Sequence, residues 1–136
     1  MDTTVVIVSY KSEHLIEQNI KSYDKNTKII IVENSQNLLL KNKIEKKYQN
    51  VEVILNKNSG FGQAANLGAK LTKTKNIFFC SPDNFSEKDT INKLENISKE
   101  LKDKFGIVIL SDENDCPKTI QQVREAKGML CFFMKK

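Results

Sequence analysis

Two stretches of this chain combine residue types and spacings suited to chemistry. The first is Asn58-Ser59-Gly60-Phe61-Gly62-Gln63-Ala64-Ala65-Asn66-Leu67-Gly68, a tight glycine turn that feeds a helical pattern. The second is the apolar run at 76–80 followed by Ser81-Pro82-Asp83-Asn84, a buried strand that ends by offering one carboxylate. Gly60 and Gly62 allow backbone conformations that other residues resist, so main-chain amides can approach a ligand there. They do so at a helix start, where partial positive charge favours anions. A strand-end carboxylate suits a hard divalent cation. Together these parts are what is needed to hold a diphosphate and its metal.

The elements that must position them follow from hydrophobic periodicity. Residues 4–8, 28–32, 51–55, 76–80 and 106–110 are short β-branched or apolar runs, hence buried strands. Between them lie amphipathic patterns that predict helices at 13–23, 38–48, 61–72 and from Ser86 or Asp89 to about 104. Ser12 is the expected cap of the first helix, whose inward face is Leu15, Ile16, Asn19, Ile20 and Tyr23. Ser86 and Asp89 offer a capping-box-like start to the fourth. Residues 111–127 are polar, with Cys116-Pro117 marking a turn, and 129–134 predict a last apolar strand. Strands alternating with helices of 10–15 residues imply βαβ units, so the fold expected is a three-layer α/β/α domain around a mainly parallel, Rossmann-like sheet. Ligands in such sheets sit beyond the carboxyl ends of the strands. Four polar groups fall there: Ser9-Tyr10, Glu33-Asn34, Asn56 to Ser59, and Ser81 to Asn84.

The 136 residues suffice for one domain, 1–136, with a real core. No apolar run approaches the ~20 residues that span a bilayer, and residues 4–8 lack the basic flank of a signal peptide. Cys80, Cys116 and Cys131 are widely spaced and odd in number, which fits buried thiols in a reducing, cytoplasmic setting. The net charge of +5 is nearly all lysine, with Arg124 the only arginine. Bidentate phosphate and base contacts favour arginine, so a solvated basic surface is read rather than a nucleic-acid site. Such a surface also suits peripheral association with anionic lipid. His14, the single histidine, reads as a surface residue.

Taken in order, Val5-Val6-Ile7-Val8-Ser9-Tyr10, Ile30-Ile31-Val32-Glu33-Asn34-Ser35, the Asn58–Gly68 stretch and Phe78-Phe79-Cys80-Ser81-Pro82-Asp83 resemble the nucleotide-sugar half of inverting family 2 glycosyltransferases of GT-A fold. The branch they are most similar to is the bacterial rhamnosyltransferase-like one. The resemblance covers roughly residues 4–95, and the Asn-x-Gly-Phe-Gly-x-Ala-x-Asn-x-Gly pattern is its most specific part. Gly128 to Lys136 resembles the family's last strand, which leads into the acceptor site.

The resemblance implies a nucleotide-sugar donor, a UDP- or dTDP-sugar, held by Ser9, Tyr10, Glu33, Asn58, Gly60, Gly62, Asn66 and Asp83, with a glycan acceptor. Tyr10 would pack against the base; its alternative is a buried or rim tyrosine. Glu33 stands where the family usually places an Asp that accepts the N3–H of uracil or thymine; its alternative is a surface carboxylate. The Asn66 amide would bond the ligand or, the preferred reading, brace the turn. Asp83 would bind Mg²⁺ or Mn²⁺ bridging the two phosphates, with Asn84 helping through water; its alternative is a turn or cap residue beside Pro82. Here Ser81-Pro82-Asp83 replaces the family's Asp-x-Asp.

The same resemblance implies sugar transfer with inversion by a carboxylate base in a Gly-Gly-Phe-Asp-Glu-like segment. These residues contain none, and Asp112, Glu113 and Asp115 precede the last strand without matching it, so no catalytic residue is assigned. The chain reads as a truncated donor-binding half, inactive or weak in transfer alone. Two other readings stay open: a non-catalytic nucleotide or nucleotide-sugar module, and an unrelated flavodoxin-like domain. The apolar run at 129–134 has nothing after it to cover it, which predicts a homodimer through the C-terminal strand.

Overall fold

The computed structural model of the chain describes residues 2–102, 107–109 and 131–136. The β-branched runs form β1 (Thr3–Ser9), β2 (Lys28–Glu33), β3 (Val51–Leu55) and β4 (Asn76–Cys80). Helices α1 (Glu13–Lys21), α2 (Leu38–Lys47) and α3 (Phe61–Leu71) connect them, and α4 (Thr90–Leu101), β5 (Ile107–Ile109) and β6 (Cys131–Lys135) follow. The expected polar segment at 111–127, with Cys116 and the three acids near it, lies outside the described residues.

One six-stranded sheet runs β3-β2-β1-β4-β6-β5. β1 to β4 are mutually parallel, and β6 is antiparallel to both β4 and β5. The chain steps outward from β1 to β3, then returns to place β4 on the other side of β1. That reversal makes a switch point at the carboxyl ends of β1 and β4, where open α/β sheets bind ligands.

Both faces of the sheet are covered, which is why its inner strands read as apolar runs, while the edge strand β3 keeps an exposed Glu52. Val5, Ile7, Ile29, Ile31, Val53, Phe78 and Phe133 pack with Ile16 and Ile20 of α1, Ile44 of α2 and Ile91 and Leu94 of α4. On the opposite face, Val6, Ile30, Val32, Ile77 and Phe79 meet Ala64 and Ala65 of α3. The small residues of α3 bring its axis close to the sheet. At Gly68 a Cβ would overlap Cγ1 of Val6 and press on Cγ2 of Val32 at 3.3 Å. Helix propensity alone would make Gly68→Ala stabilising by about 1 kcal/mol. Overpacking against β-branched side chains fixed in a sheet costs about 1–3 kcal/mol. The overlap with Val6 Cγ1 is severe enough to win, and urea unfolding should report a net loss of up to about 2 kcal/mol.

The last strand corrects an expectation. β6 is not an uncovered edge: it is hydrogen-bonded between β4 and β5, and Phe133 is fully buried in register with Phe78 and Val108. The ground for a homodimer through this strand is therefore removed.

Two caps also differ from expectation. Ser12 precedes α1 but its Oγ donates to the Tyr10 carbonyl at 3.0 Å instead of accepting from the first turn. Asp89 precedes α4 without a side-chain cap bond, because its carboxylate pairs with Lys93 at 2.9 Å. The side-chain cap is instead at α2, where Asn37 Oδ1 accepts from Leu40 N at 2.9 Å.

Glu17 ties α1 to α2. Its carboxylate meets Lys43 at 2.7 Å and also pairs with Lys47. Hydrogen bonds from Lys43 and then Lys47 lower its pKa from 4.5 to about 2. A lowered folded-state pKa means the pair's contribution is present above the unfolded value and is lost as pH falls through the folded one. Glu17→Gln should therefore show a small Tm deficit at pH 7 that closes as pH falls from about 4.5 towards 2. The pair is solvent-exposed, so added salt should shrink the deficit as well.

Candidate functional site

The site assembles where the carboxyl ends of β1, β2, β3 and β4 meet. Main-chain bonds lock the first three ends together. Asn34 N donates to Ser9 O at 2.8 Å, and Asn56 N donates to Glu33 O at 2.9 Å. Asn56 Nδ2 donates to Asn34 Oδ1 at 2.8 Å, so two amide side chains brace the β2 and β3 exits. Lys11 and Gln36, just past β1 and β2, have φ of 51° and 56°. Non-glycine residues adopt that conformation at a cost, and such positions cluster at ligand sites.

Ser9 and Glu33 are register partners at the ends of β1 and β2, and both are fully buried. Glu33 Oε1 accepts from Ser35 N at 2.8 Å and from Ser35 Oγ. Glu33 Oε2 and Ser9 Oγ are buried with no hydrogen-bond partner among the described residues. A buried carboxylate oxygen left without a donor is costly, so an orphan of this kind marks a place where a donor belongs. The reading of Glu33 as a surface carboxylate is thereby excluded. Tyr10, next in the chain, is 48% exposed, with the Lys11 ammonium 5.4 Å from its ring centroid. It is a rim tyrosine with a ring face available for stacking.

The glycine turn behaves as expected at one position and differently at the other. Gly60 has φ 91° and opens α3, and Asn58 Oδ1 accepts from its N at 3.2 Å. Gly60 supplies no side-chain cap, so among the described residues the first-turn amides of α3 have no capping side chain. Gly62 is helical without a positive φ, so backbone freedom is not its reason. A Cβ at Gly62 would meet nothing within 4 Å, so the missing side chain keeps space open above the first turn. Asn66 is exposed on α3 and its side chain makes no hydrogen bond among the described residues, so it does not brace the turn.

Asp83 lies past β4, exposed, with no hydrogen bond or ion pair among the described residues. A bare carboxylate beside the switch point fits a cation that takes its other oxygens from a ligand and water. No cluster of three or more metal-binding side chains exists among the described residues, so the protein alone would make only a partial site. The loop carrying Asp83 is held from below by a residue first read only as part of a packing face. Asn19 of α1 is fully buried, and its Nδ2 donates to the carbonyls of Ser81 (3.2 Å), Pro82 (3.3 Å) and Asn84 (2.7 Å). The signal was available: Asn19 interrupts the apolar stripe of Ile16, Ile20 and Tyr23. Asn34 and Asn56 were flagged only by their strand-end positions. His14 is exposed, as expected.

Two crevices of about 510 and 560 Å³ among the described residues lie at the opposite, amino-terminal ends of the strands. The first is lined by Lys75, Lys99, Lys102 and Lys136 with Asp2 and Glu95, the second by Lys25, Lys28 and Lys73 with Asn50. Neither is lined by an aromatic residue or by the orphaned groups described above. The carboxyl edge is the better candidate on chemistry.

Fold and strand-end geometry together define the class: an α/β domain of GT-A type, with its polar strand ends gathered at the β1–β4 switch point. The family model described as Glycosyl transferase family 2 matches residues 4–133, and the chain belongs to that family. No curated protein matches the chain. Among solved structures, S. aureus TarS 1–349 superposes with a TM-score of 0.70 at 16% identity, over 98% of this chain and 47% of that one. The same protein in complex with UDP-GlcNAc gives 0.67 at 17% identity, over 92% and 39%. The apo form of GlyE from Streptococcus pneumoniae TIGR4 gives 0.53 at 17% identity, over 70% and 26%. At these identities the likeness concerns the fold, and the chain spans less than half the length of each of these neighbours. Among the described residues no helix is long and apolar enough to cross a membrane.

Proposed function

We propose that the chain binds a pyrimidine nucleotide sugar, a UDP- or dTDP-sugar, at the carboxyl edge of its sheet and serves sugar transfer to a glycan acceptor. The observation that carries this reading is the orphaned Glu33 Oε2, whose register partner Ser9 also has an orphaned Oγ and is followed in the chain by the exposed Tyr10. Uracil and thymine present an N3–H, which would donate to Glu33 Oε2. Adenine presents a lone pair at its ring nitrogens, which a carboxylate repels. The Tyr10 ring would cover the base face by stacking. The diphosphate would then lie along the switch point towards α3, whose uncapped amides favour an anion. Asp83 would hold Mg²⁺ or Mn²⁺ together with the phosphate oxygens. When bound, the cation would neutralise charge on the leaving nucleoside diphosphate. Solved relatives in complex with UDP and with UDP-GlcNAc support a donor of this class. The rhamnosyltransferase-like branch and an inverting outcome are proposed on the motif resemblance alone.

Attack by an acceptor hydroxyl needs a base to take its proton. Glu33 is sealed beneath the nucleobase position and Asp83 faces the diphosphate. Neither is assigned that step.

A nucleotide panel followed by thermal unfolding in Mn²⁺ tests the reading. Ligand at about 100 times its Kd adds about 2.7 kcal/mol to stability, a Tm rise of several degrees. UDP and dTDP should produce that rise while ADP does not. Equal shifts for ADP and UDP would overturn the role given to Glu33.

A further inference from the structure

We propose that Asn19 is a positioning residue for the Asp83 loop, fixing Ser81 to Asn84 in the shape that lets the carboxylate meet a divalent cation; this rests on the reading of Asp83 given above. An asparagine in the apolar stripe of a helix is costly to bury unless its amide is used. Here it is used from one end. Nδ2 points at three backbone oxygens, of Ser81, Pro82 and Asn84, and approaches Cys80 Sγ at 3.8 Å. All three oxygens are acceptors, so only the amino end of the amide can face them. The Cys80 thiol, with its single proton, lies within reach of two of the same oxygens, Ser81 O at 3.3 Å and Asn84 O at 3.4 Å. The loop is thus wound around two donors beneath it, and Asn84 N closes the turn onto Ser81 O at 3.1 Å.

The consequence falls on Asp83. With the carbonyls of 81, 82 and 84 drawn inward, the residue between them is left on the solvent side, where its side chain is exposed. A cation held by a single protein carboxylate depends on where that carboxylate stands, because Mg²⁺-like geometry tolerates little displacement. Without the Asn19 amide the three carbonyls would turn to water and the loop would lose its single shape. Asn19 touches neither metal nor nucleotide; it acts through the backbone of the loop.

The test uses the full ¹⁵N-labelled chain and two readouts: amide hydrogen exchange, and Mn²⁺ binding in the presence of UDP. Asn19→Leu keeps the volume and removes the donor. It should speed exchange at Asn84 and Asp83 while β1 and β2 amides stay protected. It should also weaken Mn²⁺ binding roughly 10–100-fold, the usual effect of removing a group that orients a ligand. Asn19→Ser, which keeps one donor, should fall between it and wild type, and remains informative if the leucine variant fails to fold. Ile44→Val, a packing change on α2, should alter neither readout. Unchanged Asn84 protection and unchanged Mn²⁺ affinity in Asn19→Leu would overturn the proposal. If wild type itself binds no Mn²⁺ with UDP, the metal reading of Asp83 fails separately, and exchange at Asn84 then decides whether Asn19 orders the loop.

Discussion

Asp83→Ala should leave the fold untouched and remove the metal dependence of nucleotide binding. The side chain is exposed and makes no bond among the described residues, so its loss should change stability by less than about 0.5 kcal/mol. Its role at the diphosphate would be electrostatic. Two phosphate charges brought to a surface with one nearby carboxylate repel it unless a cation stands between them. Calorimetry of UDP binding in Mn²⁺ should therefore show a loss of at least about tenfold in the variant, or ~1.4 kcal/mol. Chelation should weaken wild type but not the variant. Asp83→Asn keeps the shape and should behave like alanine, because charge is what the cation needs. A variant that retains full Mn²⁺ dependence would move the metal away from Asp83.

Glu33→Gln should separate stability from binding with opposite signs. Ser35 N and Ser35 Oγ both donate to Oε1, so the glutamine oxygen must take that place. The amide NH₂ then falls at the position of Oε2, the oxygen without a partner. For folding, this replaces a buried, half-satisfied charge by a neutral group, so stability should be unchanged or higher. For binding, a donor would confront the N3–H of the pyrimidine. A hydrogen bond to a charged group is worth about 1.5–3 kcal/mol, so UDP affinity should fall by one to two orders of magnitude. Equal UDP binding in wild type and Glu33→Gln, measured by calorimetry, would remove Glu33 from the site.

Much of this architecture was legible because burial on both faces leaves a plain trace. The runs at 4–8, 28–32 and 76–80 are largely apolar without alternation, as strands of a covered parallel sheet must be, whereas 51–55, the edge strand, alternates at its exposed Glu52. The positions of Ser9, Glu33 and Asp83 followed from where those runs stop. What was not legible depended on side chains choosing between partners. Ser12 and Asp89 sit at helix starts, yet one bonds the preceding turn and the other a lysine. Gly62 and Gly60 look alike in sequence, and only Gly60 needs a left-handed backbone. Asn19 was visible as a polar residue in an apolar stripe, but its partners lie over sixty residues away. The interior place of β6 could not be read from its position at the end of the given sequence. Its cover comes from a short strand, β5, that pairs with it from before an intervening stretch.

The central claim is that the four strand ends form one nucleotide site, and chemical-shift mapping tests it most directly. UDP with Mg²⁺ titrated into the ¹⁵N-labelled chain should shift the amides of Ser9 and Tyr10, Glu33 to Gln36, Asn58 to Gly62, and Asp83 and Asn84. They should move together, with one dissociation constant. Shifts confined to the lysine-lined crevices at the amino ends, near Lys75 and Lys28, would contradict the account, as would no shifts at all.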